Sequence, residues 1–323
     1  MSNTLQNGAE PITIPTLRGY IRAESISPPR DLMVRSSGAI VASALLPYFF
    51  IAIAAAIGHF KIGGWLLTIL AAFFPMLAAQ RLFQTLVHDL SHLLFSKNRI
   101  VNDLLGNLFA AGFIGMRVQN YRKVHLGHHA ANGSADDPEF VDFRIVEEAG
   151  GLAWFVIKFA MGREVVSLIK KYYFSSHERH SSGQTGSENN LDLGKLVTDT
   201  WHIQICQIPL FYAFGGFSGT WYLYLLWLYL AVTWSPMLSR LRFLVEHPGV
   251  NDLTVSTRAP FIERLFFAPY NFNFHFEHHL WPSLPPYNLK RAHEVLSDDG
   301  YFQRHPEYVQ QSFLRALARR SIA

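Results

Sequence analysis

The chain has 323 residues, half of them hydrophobic and only 16% charged, with a net charge of +4. An ordinary soluble domain is roughly a quarter charged, so this composition argues against a water-soluble enzyme. The lone cysteine, Cys206, excludes an intramolecular disulfide and any CxxC metal site. The basic residues form no dense cluster with interleaved aromatics, which excludes a nucleic-acid partner.

Residues 1–35 are polar, with Pro and Arg scattered through them and no apolar signal-peptide core. They are expected to form a cytoplasmic N-terminal segment. Residues 36–60 and 62–80 contain no Asp, Glu, Lys or Arg. Each run is one bilayer span by length, since a span needs about 20 mostly apolar residues. The second helix is expected to continue to residue 92, because RLFQTLVHDLSHLLF lacks Gly and Pro. That spacing puts His88 and His92 on one helix face, just beyond the membrane.

Residues 104–116 are uncharged but only 13 long, which suits an interfacial or re-entrant helix. His125, His128 and His129 follow at i, i+3, i+4, again one helical face. GSADDPEF at 133–140 reads as a turn. Residues 152–174 mix apolar residues with Lys158, Arg163, Lys170 and Lys171, as in a helix lying among headgroups. Residues 175–190 read as a polar loop whose His177 and His180 are left out of any site.

Residues 200–239 form a third uncharged run, long enough for two spans with a turn at 215–219. His202, Gln204, Gln207 and Pro209 interrupt the first of these. His247 lies past the second. His275, His278 and His279 follow in NFNFHFEHHLWPSLPPYNL, and residues 296–323 form a basic helical tail. The expected fold is an all-α integral membrane protein, with four transmembrane helices in two hairpins and a cytoplasmic helical cap carrying the histidines. Residues 97–195 hold twelve Lys and Arg and residues 240–320 hold ten, against Lys61 alone in the first hairpin turn. The positive-inside rule then places both termini and the cap in the cytoplasm, and the net positive charge suits contact with anionic membrane lipids.

Histidine makes up 15 of 323 residues. Two HxxHH boxes by chance is roughly a one-in-two-thousand event, so the boxes read as one metal centre. Nine histidines exceed the three protein ligands of a catalytic zinc and fit two metals of four or five ligands each. Imidazole suits Zn, Cu, Fe and Ni alike. Asp89, Asp136, Asp137, Glu246 and Glu277 sit beside the boxes, where carboxylates could fix the tautomers of ligating rings. His59, His202, His293 and His305 are read as bystanders.

HDLSH, HLGHH and HFEHH together resemble the membrane fatty acid desaturase superfamily, whose members carry HxxxH, HxxHH and HxxHH boxes on a four-span scaffold with two iron ions. FNFHFEHHLWPSLPPYNL is similar to the family's HxEHHxxPxxPxxxL signature. HHAANGSADDPEF resembles the segment after its second box, and RxxxEH at 242–247 is similar to bacterial members. The resemblance covers about residues 36–295. It implies His88, His92, His125, His128, His129, His247, His275, His278 and His279 as metal ligands, two iron ions as cofactor, and dioxygen as oxidant. It also implies a lipid acyl substrate and an external ferredoxin or cytochrome b5-like electron donor. One departure stands out: acyl-CoA desaturases have an Asn four residues before the isolated histidine, and here that residue is Phe243.

The reaction expected from the resemblance is insertion of a double bond into a fatty acyl chain, reached through an apolar tunnel. A hydroxylase or ketolase acting on a lipid or carotenoid would share the boxes. A zinc-dependent membrane hydrolase and a metal-binding transporter are the readings from other classes.

Overall fold

The computed structural model describes residues 30–61, 63–132, 134, 136–139, 145–163, 166, 193–216, 219–248 and 254–320. The loop bearing His177 and His180, most of the expected N-terminal segment, and parts of 133–140 and 152–174 lie outside the described residues.

Helices α1 (Ser37–Phe60) and α2 (Gly64–Ser91) form the first hairpin. Ser36 caps α1, its Oγ accepting the Ala39 N–H at 3.3 Å. The helix ends where Lys61 turns left-handed at φ 47° and donates its N–H to the Ile57 and Gly58 carbonyls. Both helices are long and apolar enough to cross a membrane. Val41, Leu45, Phe49, Leu66, Leu70 and Phe74 are all more than half exposed. Water-soluble monomers do not tolerate so large an apolar surface; acyl chains do.

The sequence leads to four spans, but among the described residues only two helices meet that length and apolarity. The run 200–239 divides into α6 (Leu193–Phe211), a π-helical turn at Tyr212–Gly216, α7 (Tyr222–Val232) and the start of α8 (Trp234–Glu246), with α3 to α5 preceding it in the chain as described below. The break between α7 and α8 has two local causes. Thr233 bonds its hydroxyl back to the Tyr229 carbonyl at 2.6 Å, which bends helices. Pro236 supplies no N–H for the first turn of α8.

The end of α1 packs beside the π-helical turn at Tyr212–Gly216. A Cβ on Gly58 would come within 2.6 Å of a terminal methyl of Leu223, so glycine here lets α1 approach α7 closely without moving that leucine. Phe60, Trp65, Tyr212 and Trp221 are exposed at this end, in the manner of an interfacial aromatic belt.

The remaining elements gather at the other end of α2. They are α3 (Arg99–Phe109), α4 (Val118–Ala131), α5 (Leu152–Ala160), α9 (Phe261–Phe267), α10 (His275–Leu280), α11 (Pro286–Asp298) and α12 (Phe313–Arg320). Exposed Ile100, Leu104, Leu105 and Phe109 give α3 an apolar outer face. A 3-10 turn at Ala111–Ile114 carries the chain back towards α4. Two of the polar residues that interrupt the third apolar run, Gln207 and His202, serve this turn. Gln207 Nε2 donates to the Gly112 and Phe113 carbonyls at 3.1 and 2.9 Å, and the His202 ring bonds the Met116 carbonyl at 2.9 Å. Irregular backbone at membrane depth needs such partners.

The C-terminal region differs from the single tail helix expected. It breaks at Gly300 (φ 75°) and Pro306, and α11 runs across residue 296, where the tail is expected to begin. Two short strands, β1 (Ser256–Thr257) and β2 (Val309–Gln310), pair in parallel with Ser256 opposite Val309. Glu263 of α9 then caps α12, accepting the Phe313 N–H at 2.7 Å.

Candidate metal centre

His88 sits in the last turn of α2, and His92 is its C-cap residue. His125, His128 and His129 project from α4. Arg122 ties α4 to α2: its Nε donates to the Ser91 carbonyl and one Nη to the Leu90 carbonyl, each at 2.9 Å. The same guanidinium forks onto the Asp103 carboxylate of α3 at 2.9 and 2.5 Å. His247 follows α8 directly, its N–H bonded to the Phe243 carbonyl. His275, His278 and His279 belong to α10, which is entered through Tyr270 and Asn271 in left-handed conformations. The Asn273 side chain and backbone hold that entry to Thr257 of β1, at 2.8 and 2.7 Å.

Four separate segments thus bring nine imidazoles together. Five of them, His88, His92, His125, His129 and His278, place ring nitrogens within 4.8 Å of one another. His128, His247 and His279 form a second such group. The groups adjoin, with the His129 and His279 rings stacked at 4.2 Å. His275 belongs to neither set by that distance. It joins the second group through an Nε2–Nε2 contact of 3.0 Å with His247.

These contacts do not form a hydrogen-bond network. His125 Nε2 lies 2.9 Å from both His92 Nε2 and His129 Nε2, and His129 Nε2 lies 3.0 Å from His278 Nε2. An imidazole nitrogen has one in-plane lobe, so it cannot serve two partners in this way. Ring nitrogens about 2.1 Å from a shared cation and at right angles to one another would be about 3.0 Å apart. His88 Nε2, His128 Nε2 and His279 Nε2 are buried with no hydrogen-bond partner. Orphaned buried acceptors are costly, and a cation at each focus removes that cost. The donor set therefore fits metal in both groups.

Burial favours, in six of the rings, the protonation state that metals require. Burial, and then the neighbouring imidazoles, hold His125, His247, His275, His278 and His279 well below the usual histidine range. Burial, and then Arg122, lower His92 to about 4. Neutral imidazole is the ligating form.

Carboxylates support several rings from behind. Asp137 lies 2.9 Å from His128 Nδ1 and Asp89 3.4 Å from His88 Nδ1, which leaves each Nε2 facing the cluster. Glu246 reaches His275 Nε2 at 3.5 Å. Asp136 is on the surface. Glu277 takes another path: it accepts from Ser256 and lies 2.5 Å from His293 Nδ1. Arg258 Nε donates to the other nitrogen of His293 at 2.9 Å. His293, read from the sequence as a bystander, therefore anchors the third box through Glu277. Its position on the buried face of α11, at the leucine spacing of Leu289 and Leu296, is the signal that could have found it.

A cavity of about 350 Å³ opens onto the cluster, with His88, His125, His128, His247 and His275 in its wall. The expected tunnel is apolar; the lining of this cavity is mixed, with Arg81, Arg240, Arg242 and Glu139 beside Ile114, Met116 and Phe243.

The fatty acid desaturase family profile matches residues 63–311. The chain belongs to this family. It is similar to dihydrorhizobitoxine desaturase of Bradyrhizobium elkanii, with 27% identity over 69% of this chain and 66% of that protein. It is also similar to sn-1 acyl-lipid omega-3 desaturase (ferredoxin) of Synechocystis sp., with 24% identity over 95% of this chain and 87% of that protein. As a fatty acid desaturase-type protein the chain is an oxidoreductase, and its histidine groups are compatible with a metal site.

Proposed function

We propose that this oxidoreductase is a membrane-embedded di-iron desaturase that inserts a double bond into an acyl chain, using dioxygen and external electrons. The observation that carries the reading is the convergence of nine imidazoles into two adjoining buried groups. His88, His92, His125, His129 and His278 would hold one ion, and His128, His247, His275 and His279 the other. An iron pair so held supplies reductive activation of dioxygen and removal of hydrogen from an unactivated methylene. The protein's own contribution is to fix the rings, to keep them neutral, and to seat the substrate in the cavity beside them. A ferredoxin-like donor is favoured by the ferredoxin-dependent relative. The chain crosses the membrane in two hairpins, with the turns on one side and the histidines on the cytoplasmic side, as the Lys and Arg distribution requires.

The test combines metal analysis with labelled substrate. Purified protein should contain iron, and reduced ferredoxin, oxygen and deuterated acyl substrates should give products lacking two hydrogens. A product heavier by one oxygen with no new unsaturation would establish a hydroxylase. Stoichiometric zinc with oxygen-independent activity would establish a hydrolase.

A further inference from the structure

The cavity beside the histidines has a mixed lining. Ile114, Met116, Ala231, Pro236 and Phe243 are its apolar members. Its charged members are three guanidiniums, Arg81, Arg240 and Arg242, with Glu139 the single carboxylate. An acyl chain passing through to expose its middle to the metals would leave those charges against methylenes, which is costly.

The three arginines are not equivalent. Arg81 is buried and fully used: it donates to the Phe266 and Phe267 carbonyls at 2.6 and 2.7 Å, and to Gln84 and Ser239. Arg240 stacks over Phe159 at 5.9 Å. Arg242 is held but not consumed. Its Nε lies 2.9 Å from Glu246, and its guanidinium lies 5.2 Å above the Phe272 ring. Neither of its terminal amino groups has a hydrogen bond to a described residue, and Arg242 is part of the cavity lining. Glu246 approaches from behind and is one carboxylate against both Arg81 and Arg242. The lining therefore keeps a net positive charge and a free pair of parallel donors. A planar carboxylate matches such a fork with two bonds. The imidazole shell adds to this, because neutral ligands would leave the charge of any bound cations uncompensated.

We infer that the cavity is a carboxylate-binding substrate pocket, in which Arg242 holds the acid group and the apolar lining at Ile114, Met116 and Phe243 holds a short alkyl chain. The substrate is then a compact acyl acid whose carboxylate stays close to the reacting carbons, not a long chain approached at its middle. This rests on the reading of the histidine centre as the site of desaturation. Phe243 becomes intelligible as part of the lining: its ring packs 4.7 Å from His247 and 5.5 Å from His128, closing the pocket with carbon where a polar side chain would extend its charged part.

The experiment is calorimetric titration of the full-length, metal-containing protein in phosphatidylcholine nanodiscs with hexanoate, hexanamide and pentylphosphonate. Hexanoate should bind at least about tenfold more tightly than hexanamide, as expected for charge-assisted bonds. Arg242→Gln should abolish that difference and leave hexanamide unchanged; Arg242→Lys, which keeps the charge but not the fork, should retain part of it. Should Arg242→Gln lose metal, Ala231→Phe adds a ring at another lining position and should abolish hexanoate binding with metal content intact. Equal affinities for hexanoate and hexanamide, or an Arg242→Gln protein that binds hexanoate as well as the wild type, would overturn the inference. Tighter binding of the phosphonate than of hexanoate would overturn the carboxylate assignment. Desaturation of long acyl lipids without Arg242-dependent hexanoate binding would sink this inference and spare the desaturase reading. Arg242-dependent binding by a protein without oxygen-dependent activity would do the reverse.

Discussion

Arg122→Met is the most informative test of how the two ends of the histidine cluster are held together. In the wild type one guanidinium joins three elements: it forks onto Asp103 of α3 and donates to the Ser91 and Leu90 carbonyls at the end of α2. The Leu90 carbonyl keeps a second partner, the Asn102 side-chain amide at 2.9 Å. Asp103 is left almost uncompensated, since Arg99 reaches it only at 3.9 Å from an exposed position. Breaking one side of a buried pair costs about 3–5 kcal/mol. Denaturant unfolding of the metal-free protein in detergent should show a loss of that size at neutral pH. Arg122→Met/Asp103→Leu should recover at least half of it, because apolar replacement of both partners removes the stranded charge.

The pH dependence follows from Asp103. Burial pushes its carboxyl up, but the hydrogen bonds from Arg122 and Asn102 and the charge of Arg122 bring it below the usual range. A depressed carboxyl stabilises the fold above its unfolded value, and that stability is lost as the pH falls through the folded value. The gap between wild type and Arg122→Met should therefore narrow in acid. A cost below about 1 kcal/mol, the size of an exposed pair, would refute the reasoning. So would a double variant no better than the single one.

The other expectations concern metal, packing and topology. His92→Ala and His247→Ala, one from each histidine group, should each lower the metal content towards about one ion per chain, measured by plasma mass spectrometry; an unchanged content in either would remove that residue from the ligand set. Chelation should lower the thermal midpoint, since a ligand present at a hundred times its Kd adds about 2.7 kcal/mol; a midpoint indifferent to metal would contradict the binding of ions by the folded site. Gly112→Ala should destabilise by about 1–3 kcal/mol, because the added Cβ would lie 2.6 Å from Cys206 Sγ and 2.7 Å from the His202 carbonyl; wild-type unfolding would show that the turn can give way. In a Cys206→Ser background, single cysteines at Lys61 and Gly219 should react with impermeant maleimide from the side opposite to Lys97 and Glu294. Labelling of all four from one side would rule out crossing hairpins.

The histidine boxes were legible because chemistry fixed both residue type and spacing. His88, His125, His128 and their partners read as helical faces, and they are. The first hairpin was legible for a related reason, as two uncharged stretches of bilayer length. The second was not, because the run 200–239 looks uniform in composition while Thr233 and Pro236 break it through local backbone bonding. His202 and Gln207 looked like flaws in a span; their carbonyl partners at 112–116 are distant in sequence. The Arg122–Asp103 clamp joins residues whose neighbours in the chain give no hint of the contact, whereas the leucine spacing around His293 marked it as buried without naming Glu277 as its partner. Arg242 stood in a recognised motif, but only the cavity shows that its terminal donors are unspent.

Helix α2 sets a fixed vertical scale for the whole centre. Its 28 residues span about 42 Å, whereas a hydrocarbon layer is about 30 Å thick. If the proposed span begins at Gly63, the last two turns of the rod would stand clear of the lipid, carrying His88, with His92 as the cap. On the proposed topology, the height of the reaction above the bilayer is thus set by the length of one helix, which runs through Pro75 without a break. A thicker membrane would draw the centre down towards the acyl chains, and a thinner one would lift it away. A change in lipid composition would thereby reach the active site as a displacement, without any separate sensor.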